Sequence, residues 1–204
     1  MSQKINVFNK LLAHYGRQYW WNNPNRITDW VSMFLIQQTT QENTEKALAN
    51  LEGKLTVEAL HTMELATLQE YIRPAGFYKQ KSTYIKALIA WYRSHGASLE
   101  KFEAIPTEEL RQELLSIKGV GEETADAMLL YIFKRNVFIA DQYAIRLLNR
   151  LNLSSAQTYK ALREECMPLV ADIPLETCQE WHAVIDMHGK AYRKGDTDES
   201  WLLE

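Results

Sequence analysis

Apolar residues recur at spacings of three and four along nearly the whole chain, and this regularity restricts the fold more than any other feature. Ile5, Phe8, Leu11, Leu12 and Tyr15 form one such series. Trp30, Met33, Phe34, Ile36, Leu48 and Leu51 form another, in a long stretch from Arg26. Leu65, Leu68, Tyr71 and Ile72 precede Arg73-Pro74, and Tyr84, Ile85, Leu88, Ile89 and Trp91 carry a stripe up to Gly96. With only 8 Gly and 5 Pro in 204 residues, the chain lacks the turns an all-β fold needs. Val137-Phe138-Ile139 is the one β-like run, and it is too short to build a sheet. The expected class is all-α, with about ten helices and short connections.

Further helix boundaries follow from capping chemistry. Thr107 after Pro106, with Glu108 and Glu109 in the first turn, suits a helix start. Helices are expected from Glu122 to Phe133 and from Asp141 through Leu151, one capped by Ser154 or Ser155, and a last one from Pro174 to Gly189.

The size permits one domain or two small lobes. No apolar run approaches the roughly 20 residues of a membrane span. The opening MSQKINVFNKLL has no signal-peptide pattern, so an intracellular location, cytoplasm or nucleoid, is expected. Two cysteines, Cys166 and Cys178, are too few for a disulfide framework or a four-thiolate metal site. The formal net charge is −3, which by itself argues against a nucleic-acid partner. The distribution argues otherwise. Residues 71–99 hold Arg73, Lys79, Lys81, Lys86 and Arg93 and no acid, and residues 134–150 hold Lys134, Arg135, Arg146 and Arg150 against Asp141. A basic face on an acidic body can follow a phosphate backbone, although chance unevenness of helix faces gives the same composition.

Two segments carry the chemistry. Ile117-Lys118-Gly119-Val120-Gly121 breaks one helix and opens another. Glycines one residue apart permit a sharp turn and close approach of another molecule, and N–H groups at a helix N-terminus favour an anion. An ordinary αα-hairpin would read the same way. Twenty residues beyond Gly121, Asp141 opens a helix, where capped amides and the helix dipole are expected to keep it ionised. Such a carboxylate can sit beside a developing cation, or it can simply be a cap.

Together, Gly-Val-Gly-x-x-Thr-Ala at Gly119–Ala125 and the Asp141 helix ending Asn149-Arg150-Leu151 resemble the helix-hairpin-helix DNA glycosylases of the endonuclease III superfamily. So do Ile36-Gln37-Gln38-Thr39-Thr40, Gly76-Phe77-Tyr78-Lys79-Gln80-Lys81, and His188-Gly189-Lys190. The resemblance covers roughly residues 20–190. It implies a two-lobed fold: a six-helix barrel lobe over 22–133, holding the hairpin, and a lobe built from 1–21 and 134–204, with the active site in the cleft between them. It implies Asp141 as catalytic carboxylate. Gln38, Lys79, Lys81, Lys118, Gly119, Val120, Gly121 and Thr124 would contact double-stranded DNA holding a damaged base, and Trp20, Trp21, Glu42 and Lys190 would form the base pocket.

Departures from the family pattern refine this expectation. Glu123 stands where bifunctional members carry a lysine nucleophile, and a carboxylate cannot form a Schiff base, so no lysine-dependent lyase is expected. The chain has no cysteines after His188-Gly189-Lys190, so no iron–sulfur cluster and no other cofactor is expected. The resemblance is strongest to the cluster-free 3-methyladenine glycosylases. In the family a Na⁺ or K⁺ ion can bind hairpin carbonyls, here those of Leu115, Ile117 and Val120. A monomer acting on an alkylated purine is expected. A glycosylase for mismatched or oxidised bases and a non-catalytic hairpin DNA-binding protein are the alternatives.

Overall fold

The computed structural model describes residues 2–19, 21, 23–195 and 198–204. Among these, eleven α-helices and three short 3₁₀ turns make up the regular structure, and no strand is present. The chain divides into two compact units, one of residues 21–128 and one of residues 1–20 with 129–204; the boundary falls within a helix, after Met128.

The 21–128 unit is built on α2 (Arg26–Leu35), α3 (Gln41–Asn50), α4 (Val57–Thr62), α5 (Leu65–Ile72), α6 (Tyr78–Ser94), α7 (Thr107–Ser116) and most of α8 (Glu122–Tyr131). Helix α6 lies against α2, α4 and α5, and its Ile85, Leu88 and Ile89 are buried. Trp30 is buried edge-on against Tyr92, with ring centroids 4.4 Å apart. Burying a side chain of this kind contributes about 2–3 kcal/mol of transfer free energy. Side-chain caps set three helix starts: Asn25 accepts from Ile27 N, Thr40 from Asn43 N and Thr56 from Ala59 N.

In the second unit, α1 (Gln3–Tyr15) and α9 (Gln142–Arg150) both lie against α11 (Leu175–Arg193), and α10 (Tyr159–Val170) lies against α9. Phe8 sits between Phe138 and Trp181, at centroid distances of 5.5 and 5.3 Å. The β-like Val137-Phe138-Ile139 run is buried but unpaired as a strand; its apolar side chains serve as core. Gly189 lies inside α11, and a Cβ there would fall 2.1 Å from Tyr143 Cδ1. The glycine lets the Tyr143 ring lie on the helix backbone. Arg150 and His188, drawn from two separate sequence motifs, converge on Glu199. Arg150 donates to its two oxygens at 2.9 and 2.6 Å, and His188 Nε2 lies 2.9 Å from Oε1. Tyr15 Oη completes the chain, 3.0 Å from His188 Nδ1.

Several boundaries differ from expectation. The stretch from Arg26 is two helices, because the chain turns at Gln38, where φ is 53°, and Thr40 caps a new start. Thr107 is the first helical residue of α7 and makes no side-chain cap. Thr158 caps α10 in place of Ser154 or Ser155, since its hydroxyl accepts from Ala161 N. Helix α8 stops at Tyr131, short of Phe133, and α11 runs through Gly189 to Arg193.

Candidate functional site

The glycine turn joins α7 to α8. Gly119 has φ of 92°, and a Cβ there would fall 2.2 Å from the Tyr84 ring, so turn geometry and close packing both require glycine. At Gly121 an added Cβ would meet nothing within 4 Å. Its lack of a side chain therefore serves no contact within the protein. Gly121 O accepts from Ala125 N at 2.8 Å, and the N–H groups of the first turn of α8 point out of the helix start. Val120 is a correction to the predicted set: its side chain is buried and its N–H donates to Ile117 O at 3.0 Å, closing the turn. Lys118 is exposed.

Arg111 and Asp126 bridge α7 and α8, with Arg111 Nε donating to Oδ1 at 2.9 Å. The guanidinium also lies 3.5 Å from Glu122, at the start of α8.

One further loop is tied to this hairpin, and a buried lysine ties the helix before that loop to the turn before α6. Gln37 Nε2 reaches Thr124 Oγ1 at 3.5 Å, linking the Gln38 loop to α8. Lys81 Nζ donates to Leu35 O at 2.7 Å and Ala75 O at 2.8 Å, joining the end of α2 to the turn before α6. Lys81 is only 2 % exposed, which corrects its expected contact with DNA; two carbonyls hold its ammonium, and burial lowers its pKa. Gln38 is exposed beyond α2, and Phe77, at φ 46°, is 59 % exposed before α6. Sequence reasoning passed over Phe77, because nothing local separates an exposed phenylalanine from a core one.

The basic run is largely engaged within the unit. Arg73 pairs with Glu70, Arg93 lies 3.6 Å from Glu58, and Lys86 donates to the His61 and Met63 carbonyls. Among the described residues Lys79 is exposed and has no such partner.

The pocket assignments fare differently. Trp20 lies outside the described residues. Trp21 is 5 % exposed, so its ring's apolar area is already removed from water. Glu42 stands exposed on the first turn of α3 and pairs with Lys46 at 2.7 Å, which holds its carboxyl below the ordinary range. Lys190 is exposed and pairs with Asp186 at 2.5 Å.

Asp141 caps α9. Its Oδ1 accepts from Ala144 N at 2.8 Å, while Oδ2 lies 3.7 Å from His182 Nε2. His182 Nδ1 is 2.5 Å from Tyr131 Oη, and Tyr131 Oη is also 3.3 Å from Gln179 O. Asp141 is 7 % exposed. The capped amides do lower the carboxyl pKa, but burial outweighs them. Burial pushes the carboxyl up to about 6, with Asp186 adding to the rise, against the lowering by the Ala144 and Tyr143 amides and Lys190. At pH 7 the group is still roughly nine-tenths ionised.

The cysteine thiols are inert by burial, at about 12 for Cys166 and about 11 for Cys178. Among the described residues no cluster of three or more His, Cys, Asp or Glu side chains converges, and no helix is long and apolar enough to cross a membrane.

A glycine hairpin followed by a helix-capping aspartate on an all-α frame is the arrangement of a helix-hairpin-helix repair protein. The model of the HhH-GPD superfamily base excision DNA repair proteins matches residues 31–172. A Methanocaldococcus jannaschii protein described as a DNA repair glycosylase is 34% identical over 194 residues, covering 91% of this chain and 86% of its own. The structure of an H. pylori 3-methyladenine DNA glycosylase, MagIII, bound to 1,N6-ethenoadenine superposes with a TM-score of 0.72 at 25% identity, covering 93% of this chain and 96% of that one. An endonuclease III–DNA complex shares the fold, with a TM-score of 0.76 at 20% identity over 98% of this chain and 90% of that one. The chain belongs to the HhH-GPD superfamily of base excision DNA repair glycosylases, the endonuclease III superfamily.

Proposed function

We propose that the protein is a monofunctional DNA N-glycosylase that releases an alkylated purine such as 3-methyladenine from double-stranded DNA, with Asp141 as catalytic carboxylate. The observation that carries this reading is Asp141 itself: a buried helix cap whose Oδ1 is fixed by Ala144 and whose charge persists at neutral pH. The two compact units are taken as the two lobes of the family fold, and the protein as a monomer.

Chemistry on a base requires the nucleotide to leave the stack. The N–H groups of Gly119 and Gly121 would hold the phosphates, Lys118 and Lys79 would add charge, and Thr124 would support the turn through Gln37. Gln38 and Phe77 are the exposed groups available to fill the vacated stack. A purine alkylated on a ring nitrogen is cationic and leaves readily. The sugar then passes through an oxocarbenium-like state. Asp141 as carboxylate would stabilise that cation and orient or deprotonate the incoming water. Such a preorganised charge is worth a few kcal/mol, roughly a hundredfold or more in rate.

Glu123 at the second position of α8 supports the monofunctional assignment, since it cannot form a Schiff base. No iron–sulfur cluster is proposed, because the two cysteines are buried upstream of the position at which the family ligates it. A Na⁺ or K⁺ ion fits the donor chemistry of the turn. The Leu115 carbonyl is in the last turn of α7, and Ile117 O accepts one hydrogen bond and keeps a second lone pair. With Val120 O they would hold the ion and lend positive charge to the phosphate site.

The test is incubation with methylated duplex DNA and chromatography of the freed bases. Wild type should release 3-methyladenine, and Asp141→Asn should bind the DNA but lose at least a hundredfold in release. Binding without release by the wild type would favour the non-catalytic alternative. Release from mismatched or oxidised DNA alone would transfer the assignment to that substrate class, and strand cleavage without alkali would refute the monofunctional reading.

A further inference from the structure

Asp141 presents two unlike oxygens. Oδ1 is held by the start of its own helix, whereas Oδ2 faces the imidazole of His182 on α11. The distance of 3.7 Å is too long for a hydrogen bond as it stands, but donor–acceptor contacts of catalytic groups commonly tighten when substrate binds.

The other face of the imidazole is fixed. Tyr131 Oη lies 2.5 Å from Nδ1. Burial, together with the charges of Asp141, Asp186 and Glu180, pushes this phenol well above its ordinary range, so it keeps its proton, and the nearer of its two acceptors is Nδ1, at 2.5 Å against 3.3 Å for Gln179 O. A neutral imidazole accepting at Nδ1 must carry its own proton on Nε2, the nitrogen that faces Asp141. If the imidazole gains a second proton, Tyr131 can turn its O–H to Gln179 O, 3.3 Å away. In both states Nε2 offers N–H to the carboxylate.

We propose that His182 is a positioning residue for the carboxylate: Tyr131 fixes the proton on Nε2, and that N–H holds Asp141 Oδ2 in its ionised, water-facing state. This rests on the glycosylase reading and adds to it a second group acting through Asp141. Substrate itself is touched by neither His182 nor Tyr131 in this scheme. The other groups acting on Asp141 are the Tyr143 and Ala144 amides of α9, and Asp186 and Lys190 of α11; Glu180 of α11 acts on Tyr131, at the end of α8. The acids raise the carboxyl pKa, and the amides and Lys190 lower it. In this scheme the His182 N–H would join the lowering side, opposite the burial that dominates.

The experiment measures the Asp141 carboxyl midpoint by ¹³C NMR titration of the full chain, alongside single-turnover base release against pH. His182→Phe keeps the ring volume and removes the donor. The midpoint should rise by about one pH unit, and release at neutral pH should fall several-fold with its acid limb displaced by the same amount. His182→Gln restores an N–H donor and should recover most of both. Tyr131→Phe, which deletes one oxygen, should shift the midpoint in the same direction by less, and it serves if His182→Phe does not fold. A midpoint unchanged in folded His182→Phe or Tyr131→Phe overturns the proposal. So does a His182→Gln variant as impaired as His182→Phe. If the wild type releases no base from any damaged DNA, the glycosylase reading fails, and the NMR midpoint still decides the His182–Asp141 link on its own.

Discussion

Arg111 and Asp126 meet in the interior of the 21–128 unit, Nε to Oδ1 at 2.9 Å and Nη2 to Oδ2 at 3.3 Å, with Asp126 wholly buried. The pair fastens the helix before the glycine turn to the helix after it. Removing Asp126 takes away the buried partner of Arg111 and leaves its guanidinium the more distant and more exposed Glu122 and Glu108, at 3.5 and 3.7 Å. Asp126→Ala is therefore expected to cost about 3–5 kcal/mol in urea unfolding, while replacing both residues with apolar ones of similar volume should recover most of the loss.

The two glycines of the hairpin should respond differently to one methyl group. Gly119→Ala forces a positive φ on an L-residue and drives Cβ into Tyr84, a loss of about 2 kcal/mol or more. Gly121→Ala meets open space, so its stability should stay within about 0.5 kcal/mol. Its affinity for duplex DNA should nevertheless fall several-fold, because the methyl occupies the surface a phosphate would approach. Thermal melts and fluorescence anisotropy separate the two effects. Equal melting losses in both variants would contradict this account.

Lys79 and Lys81 should also separate. Lys79→Ala removes an exposed charge, so the slope of log affinity for DNA against log salt should fall in magnitude by about one, with stability intact. Lys81→Met removes the ammonium from two buried carbonyls, at a cost of about 1–3 kcal/mol, without changing the slope. A changed salt slope in Lys81→Met would show that its ammonium reaches DNA.

Asp141 has an expected pH signature in stability. Its folded pKa of about 6 lies above the ordinary carboxylate value of 3.8, so the folded state binds the extra proton. The protonated form's stability is fully present below the unfolded pKa and is lost as pH rises through about 6. At pH 7 the ionised group is destabilising by on the order of 2–3 kcal/mol. Asp141→Asn keeps an N-cap acceptor and removes that charge. It should melt higher than wild type at pH 7.5, with the difference closing by pH 4. A variant less stable than wild type at pH 7.5 would refute the burial account.

Sequence made the helices readable because their stripes are local and periodic, and it made Asp141 readable as a cap for the same reason. The break at Gln38 was not legible, since a glutamine at φ 53° carries no glycine or asparagine signal. Lys81 was misplaced because a buried ammonium and a solvated one are the same letter until Leu35 and Ala75 turn their carbonyls toward it. The burial of Trp21 and the pairing of Glu42 with Lys46 are equally invisible in the sequence, because both are settled by the whole fold. The junction of Arg150 and His188 on Glu199 joins positions 49 and 11 residues apart, beyond the reach of any local pattern.

Tyr143 resting on Gly189 has a consequence for how this region can vary. Any larger residue at 189 would need the space the ring already fills, and a smaller one at 143 would open a void above the helix. The two positions are thus a single choice written twice, tolerant of joint replacement and resistant to separate change. Because Tyr143 lies two residues after Asp141, repacking this contact would also disturb where the carboxylate is aimed.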